Sequence, residues 1–286
     1  MQLTGLDLGN YSVVAMRDAD ENFDLAMNFT TFSVSKTYSN FLVVSTNVEY
    51  DTLAQAVANS GNEDTIYVKN GTYKDTKVVI SNKTLDIIAL ETVVFDAQGS
   101  DANFIIVNEN AEVYIYGIAF RGIHNRNTNY GAIVNHGDLS LDSCNFTDNK
   151  ITKTSFAGNG GAAIFSDGES LEIDNCNFIN NVAPLKVSTA TVTSLGYDDV
   201  SITDSKFINN KADYGAIRGS SGSTLTVYNT VFENNRADGG GGAIDSYYSD
   251  TKIINCSFVN NWGHEGGSIY NRFSDIQLID SNFFNN

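Results

Sequence analysis

In the second half of the chain, apolar positions come in short runs broken by polar residues. Leu139-Ser140-Leu141 and Leu225-Thr226-Val227 alternate strictly, as half-buried strands do. Each is flanked by two further runs. One ends at an isoleucine (Ile133, Ile217), the other at a phenylalanine (Phe146, Phe232). None is long enough for a helix, and the separators are Gly, Asn, Asp and Ser. The pattern predicts three short strands per unit.

The unit then repeats. Phe-x-x-Asn starts at Phe146, Phe178, Phe207, Phe232, Phe258 and Phe283 and ends at Asn149, Asn181, Asn210, Asn235, Asn261 and Asn286. A degenerate copy stands at Phe120, where Ile123 takes the fourth place. From Phe120 onward the phenylalanines are 26, 32, 29, 25, 26 and 25 residues apart. Between them, Gly-Ala-Ile phrases end at Ile133, Ile217 and Ile244, and Gly161-Ala162-Ala163-Ile164 and Gly267-Ser268-Ile269 are variants. A fixed period means stacked units, none of which can bury its apolar face alone.

About 25 residues with three strands make one coil of a right-handed parallel β-helix, with equivalent positions about 4.8 Å apart along the axis. The expectation is an all-β solenoid over 41–286, most regular over 120–286, of about ten coils spanning roughly 45–50 Å. Phe over Phe and Ile over Ile fill the bore. Buried Asn side chains ladder at the bends, and Gly before Ala-Ile frees a tight corner from a side-chain clash. Pro184, the single proline, follows Asn181 in a long interval that is expected to loop out.

The first third reads differently. Residues 1–40 give strand, turn, strand, through Tyr11 to Val14 and Phe29 to Val34. Residues 51–59 form a short amphipathic capping helix, with Asp51 as its expected N-cap. Residues 64–119 supply the less regular first coils.

These motifs carry three resemblances. Residues 1–40 resemble the closing half of a bacterial-type immunoglobulin-like repeat, where a G-x-Y-x-V strand (Gly9, Tyr11, Val13) precedes a final F-x-V strand (Phe32, Val34). The helix followed by Asp64-Thr65-Ile66, Val68, Gly71 and Tyr73 resembles the opening of pectin-lyase-like β-helices. The G-G-A-I and F-x-x-N phrases resemble repeats of chlamydial polymorphic outer-membrane proteins and of adhesin-like surface proteins of methanogenic archaea. The resemblance implies an extracellular, cell-surface protein with an adhesive role. It supplies no catalytic residue, because the shared positions are core and turn.

Composition narrows the partners. The 286 residues carry a net charge of −17, so nucleic acid, which needs clustered Lys and Arg, is excluded as a partner. An acidic surface suits a secreted protein and equally suits simple solubility. Cys144, Cys176 and Cys256 stand two places before a repeat Phe, where other coils have Ser205, Thr230 and Ser281. That reads as a small core position holding buried thiols. There is no signal peptide and no apolar run long enough to span a membrane. The last repeat stops at Asn286 without a capping segment, so a piece of a longer surface protein is expected. Sequons at Asn10, Asn28, Asn70, Asn82, Asn145 and Asn255 are candidate glycan acceptors.

Candidate chemistry is sparse. Residues following each repeat Ile should face outward: Val134, Phe165, Arg218, Asp245 and Tyr270. Arg218 and Asp245, with Asp198 and Asp199, are the weak catalytic candidates. Hydrolases on polysaccharides need two facing carboxylates, and lyases need a base beside a cation. A surface ion pair is the simpler account of Arg218 and Asp245. Asp213, Asp238 and Glu265 recur at one corner and are weak candidates for Ca2+, which prefers several oxygen ligands. Lys211, Arg236 and His264 lie close enough to compensate them instead. His124, His136 and His264 lack metal-ligand spacing and read as turn residues.

Tyr247, Tyr248, Trp262 and Tyr270, with Phe273, are the best contacts for a glycan or a protein on a host or neighbouring cell. Three functions remain: a non-catalytic adhesin-like β-helix, a polysaccharide lyase or glycoside hydrolase, and a purely structural stalk. Intervals 150–160 and 182–199 are where a specific function would be grafted.

Overall fold

The computed structural model describes residues 9–17, 26–34, 41–43, 47–152, 159–183, 188–196 and 198–286. The chain divides into two units, Met1–Tyr38 and Ser39–Asn286. In the first, Gly9–Arg17 pairs antiparallel with Ala26–Val34, the two strands expected of this segment.

The second unit is a parallel β-solenoid. One sheet holds the Ile strands, eight of them from Val78–Ile80 to Ile269–Arg272. The alternating Leu strands and the Phe strands belong to one further sheet, because Thr84–Asp96 and Glu112–Arg121 each run through both sets. Equivalent residues face each other from coil to coil: Phe146 opposite Phe178 and Phe178 opposite Phe207, Leu139 opposite Leu171 and Leu171 opposite Val200. A slip of one residue would turn every Phe outward, so the register is strongly specified.

There are about eight turns, not ten, because the residues before Asp64 make a cap instead of coils. Phe41–Val43 runs antiparallel to Val48–Tyr50 and to Asp64–Val68, closing the edge of the first coil. Helix Leu53–Asn59 buries Leu53, Ala56 and Val57 in the core. Its N-cap is Thr52, not Asp51: the Thr52 hydroxyl accepts the Gln55 N–H at 3.2 Å. Lys83 Nζ donates to the carbonyls of Val57 and Ser60 at the other end.

The Phe-x-x-Asn phrase is explained by what its neighbours do. Three places before each Phe stand Ser143, Asn175, Asp204, Asn229, Asn255 and Asp280. Two places after stand Asp148, Asn180, Asn209, Asn234, Asn260 and Asn285. All twelve have left-handed backbone, φ between 48° and 57°. Asn and Asp tolerate that region best among residues with a Cβ. In the Phe120 copy, Gly117 and Gly122 fill both places.

Between these bends the rings of Phe146, Phe178, Phe207, Phe232 and Phe258 stack 4.5–5.2 Å apart. The Asn column beside them is fully bonded. The Asn181 backbone N–H and Nδ2 both donate to Asn210 Oδ1 at 3.0 Å, and Nδ2 also donates to the Phe146 carbonyl at 2.9 Å. The pattern continues to Asn286. Inside a low-dielectric core such satisfied amides rigidify the stack.

The cysteines are free and buried, as expected of that position. The Cys144 N–H donates to Cys176 Sγ, and the Cys176 N–H to Ser205 Oγ. A hydrogen bond with Cys144, followed by burial, pushes the Cys176 thiol up, away from reactivity.

Within the interval 182–199 the described residues 189–195 return to the stack. Thr189–Leu195 is a regular rung between Gly160–Ser166 and Ile217–Ser220, with Val192 in the Ile column. Its β-branched run hides the Gly-Ala-Ile phrase without changing the strand. Pro184 and residues 153–158 lie outside the described residues.

Candidate functional site

The column that follows each Ile points outward, yet most of it is covered. Val134 and Phe165 are buried, Arg218 is 7 % exposed and Asp245 only 1 %. Tyr130, Tyr214 and Gly240, each between a Phe strand and the next Ile strand, lie over this face. The Tyr130 ring lies 4.4 Å from that of Phe165, and the Arg218 guanidinium lies 4.1 Å above the Tyr214 ring. At Gly240 the cover is so close that a Cβ would sit 2.3 Å from Asp245 Oδ2.

Arg218 and Asp245 are therefore a buried pair, not the surface pair expected. Their rung positions are paired directly, one coil apart. Arg218 Nε stands 3.7 Å from Asp245 Oδ1, too far for a hydrogen bond. Arg218 Nε, Arg218 Nη1 and Asp245 Oδ2 have no hydrogen-bond partner. Buried polar atoms in that state cost about 1–3 kcal/mol each, so three together call for an explanation. Burial pushes the Asp245 carboxyl up to about 7, with Arg218 pulling the other way.

The pair forms one wall of a cleft of about 260 Å³, completed by Tyr214, Tyr247, Tyr270 and Arg272. Tyr270 sits opposite Asp245 on the next coil, and Arg272 opposite Tyr247. An aromatic shelf continues outward. Tyr247 meets Tyr248 edge-on at 4.7 Å, and Tyr248 stacks on Phe273 at 4.8 Å. The Arg272 guanidinium lies 4.9 Å from the Phe273 ring.

The fold thus gathers Tyr247 and Tyr270 into one cleft with the Arg218–Asp245 pair, and sets Tyr248 and Phe273 beside Tyr247. Trp262 stands elsewhere, on the short strand Trp262–Gly263. Arg236 covers its ring at 4.2 Å and also pairs with Asp238 at 3.0 Å. Sequence reasoning missed Tyr214 and Arg272. A signal for Tyr214 existed: it precedes Gly215-Ala216-Ile217 as Tyr130 precedes Gly131-Ala132-Ile133.

The remaining candidates do not share a site. Asp198 is fully buried, and burial pushes its carboxyl up to about 6, against the Ser166 and Ser194 hydroxyls that lower it. Asp199 is exposed, accepting from the Thr224 hydroxyl. Asp213 is buried and accepts the Ser188 N–H at 3.1 Å, while Glu265 is exposed. Among the described residues, no three His, Cys, Asp or Glu side chains converge on a metal position.

His136 pairs with Asp167 beside a depression lined by Ser81, Asn82, Asn108, Glu109 and Asn110. His124 contacts Arg126, and His264 is exposed. No helix among the described residues is long and apolar enough to cross a membrane. Comparison with protein-family models, with curated proteins and with solved structures found no match.

Proposed function

We propose that this chain is a non-catalytic binding solenoid of an adhesin-like, extracellular cell-surface protein, and that it holds glycan in the cleft between Tyr214 and Arg272. The observation that carries this is the aromatic shelf running into a buried ion pair with unmatched polar atoms. Aromatic faces stack on sugar rings, and Tyr and Arg are the residues on which binding energy concentrates. The side chains project from in-register rungs of a laddered solenoid, so little ordering cost is left at binding. The surface location and adhesive role rest on the resemblance of the Phe-x-x-Asn and Gly-Ala-Ile repeats, since the solenoid itself serves enzymes, adhesins and spacers alike.

The test is a broad glycan array probed with the full chain, with Tyr247→Ala/Tyr248→Ala, and with Trp262→Ala as the control outside the cleft. Binding should fall with the pair of tyrosines and persist without the tryptophan. Equal binding by all three would remove this patch from the account.

A polysaccharide lyase is the second reading. It is favoured by one feature, a carboxyl raised to about 7 beside an arginine, the arrangement of a base next to a charge-neutralising cation. Polygalacturonate and alginate incubated with the chain should yield no unsaturated products and no new reducing ends. Their appearance would replace the binding reading with the enzymatic one.

A further inference from the structure

We propose that the aromatic shelf takes a glycan bearing a single carboxylated sugar, its carboxylate on Arg272 and its rings against Tyr248 and Phe273. This deepens the glycan-binding reading above and rests on it. The unmatched atoms of Arg218 and Asp245 are buried, Arg218 against Tyr214 and Asp245 beneath Gly240. A ligand therefore meets only the exposed groups beside them.

The first observation is a spare cation. The chain carries 34 acidic residues against 17 Lys and Arg, and Arg121, Arg126, Arg218 and Arg236 each stand against an aspartate. Arg272 is exposed and, among the described residues, pairs with no carboxylate and donates to no acceptor from its side chain. Its guanidinium rests 4.9 Å from the Phe273 ring and 5.5 Å from that of Tyr247. Ring contact occupies the face of a guanidinium and leaves its planar fork of N–H donors free, and a carboxylate takes that fork two bonds at a time.

The second is a strained platform. At the corner after the Ile strand, successive coils place Gly196, Ser221, Tyr248 and Phe273, with φ of 77°, 66°, 51° and 55°. Gly and Ser serve this left-handed corner in two coils, so the fold does not require a ring there. A bulky residue is an outlier in that region, and such strain gathers at functional positions. Burial does not offset it, because Tyr248 is 50 % exposed and Phe273 59 %. The two rings stack on each other at 4.8 Å. Ser221, next in the column, carries no ring, so the stack ends in a step at Tyr248 where a sugar ring can lie.

The third is the charge balance, which admits one anion. Arg218 and Arg272 act on Asp245 against Asp213, and burial raises the Asp245 carboxyl to about 7. Near neutral pH about half of it is uncharged, so two cations face about one and a half negative charges. Charges more than about 8 Å away are largely screened at physiological salt. A neutral glycan would leave Arg272 unmatched. A polyuronate, with a carboxylate on every ring, would bring surplus negative charge to a chain already at −17.

The experiment is calorimetric titration of the full chain at neutral pH. The probes are sialyllactose and glucuronyl-xylobiose, their neutral cores lactose and xylobiose, sulfated lactose, and trigalacturonate. At least one of the two singly carboxylated probes should bind, at least about tenfold more tightly than its core. Arg272→Gln should erase that preference, and Arg272→Lys should restore part of it. Tyr248→Asn, which relieves the left-handed strain and so spares the fold, should weaken acidic probe and core alike. Trp262→Ala, outside the cleft, should bind as the unaltered chain does. The inference is overturned if neither carboxylated probe binds, or if a core or trigalacturonate binds as tightly. It is also overturned if Arg272→Gln or Tyr248→Asn binds as the unaltered chain does. Tighter binding of sulfated lactose than of sialyllactose would overturn the carboxylate as the anion.

The glycan array separates the two levels. If neutral glycans on the array bind through Tyr247 and Tyr248 while no carboxylated probe does, this inference fails and glycan binding stands. A blank array with the unaltered chain removes both.

Discussion

Substituting Asn210 by Ala removes one rung from the middle of the amide column. Its Oδ1 accepts from the Asn181 backbone N–H and from Asn181 Nδ2, both at 3.0 Å. Its Nδ2 donates to the Phe178 carbonyl at 2.9 Å and to Asn235 Oδ1 at 3.0 Å. Truncation leaves the Asn181 N–H without its acceptor, while Asn181 Nδ2 keeps only the Phe146 carbonyl. With about 1–3 kcal/mol for each buried group left unpaired, the cost should be about 2–5 kcal/mol. Asn286→Ala breaks the same kind of rung at the last coil, where the partners are part-buried and water can replace the amide. It should cost less than about 1 kcal/mol.

Guanidinium unfolding followed by circular dichroism reads both variants. Stability in a stacked array is approximately a sum of local terms, so exchange of the Asn181 amide gives a local check. Equal costs at the two positions, or an Asn181 amide whose exchange does not quicken in Asn210→Ala, would refute the ladder as a source of stability.

Three other outcomes follow from the same geometry. Burial raises the Asp245 carboxyl from 3.8 to about 7, so the folded chain holds that proton more tightly than the unfolded one. Its contribution is fully present below about pH 4 and lost as pH rises through about 7; Asp245→Asn should remove up to about 4 kcal/mol of that slope, read as unfolding midpoint against pH, and an unchanged slope would contradict the shift. At Asn209, φ is 57°; Asn209→Gly should be near neutral and Asn209→Val should cost about 1–2 kcal/mol, so equal melting of the two would undo the account of the bends. Calcium or EDTA should leave the melting temperature unchanged, because Asp213, Asp238 and Glu265 do not converge; a rise with calcium would show a site among them.

The periodic part of the fold was legible because stacking repeats its chemistry. A Phe, an Asn or a small Cys/Ser/Thr residue returns wherever the coil needs it, and each was read with its structural role intact. The first coil was less legible. Phe41–Val43 closes it by antiparallel pairing, a single event with no period to reveal it. The rung Thr189–Leu195 was hidden for the opposite reason: threonines replaced the expected Gly-Ala-Ile while keeping the strand. At the site, alternation correctly placed Arg218, Asp245 and Tyr270 on the outer face. It could not show that Tyr214 and the Gly239–Gly242 stretch fold over that face, because such cover is a tertiary event. Burial, not sequence spacing, is what sets this pair apart from an ordinary surface ion pair.

The most direct test pairs two readings on one sample: surface plasmon resonance of the unaltered chain and of Tyr247→Ala/Tyr270→Ala against the strongest array glycan, with the same glycan assayed for cleavage. The account predicts saturable binding by the unaltered chain, weakened at least about tenfold in the double variant, and an intact glycan afterwards. Equal binding by the two proteins, or cleavage of the glycan, would contradict it.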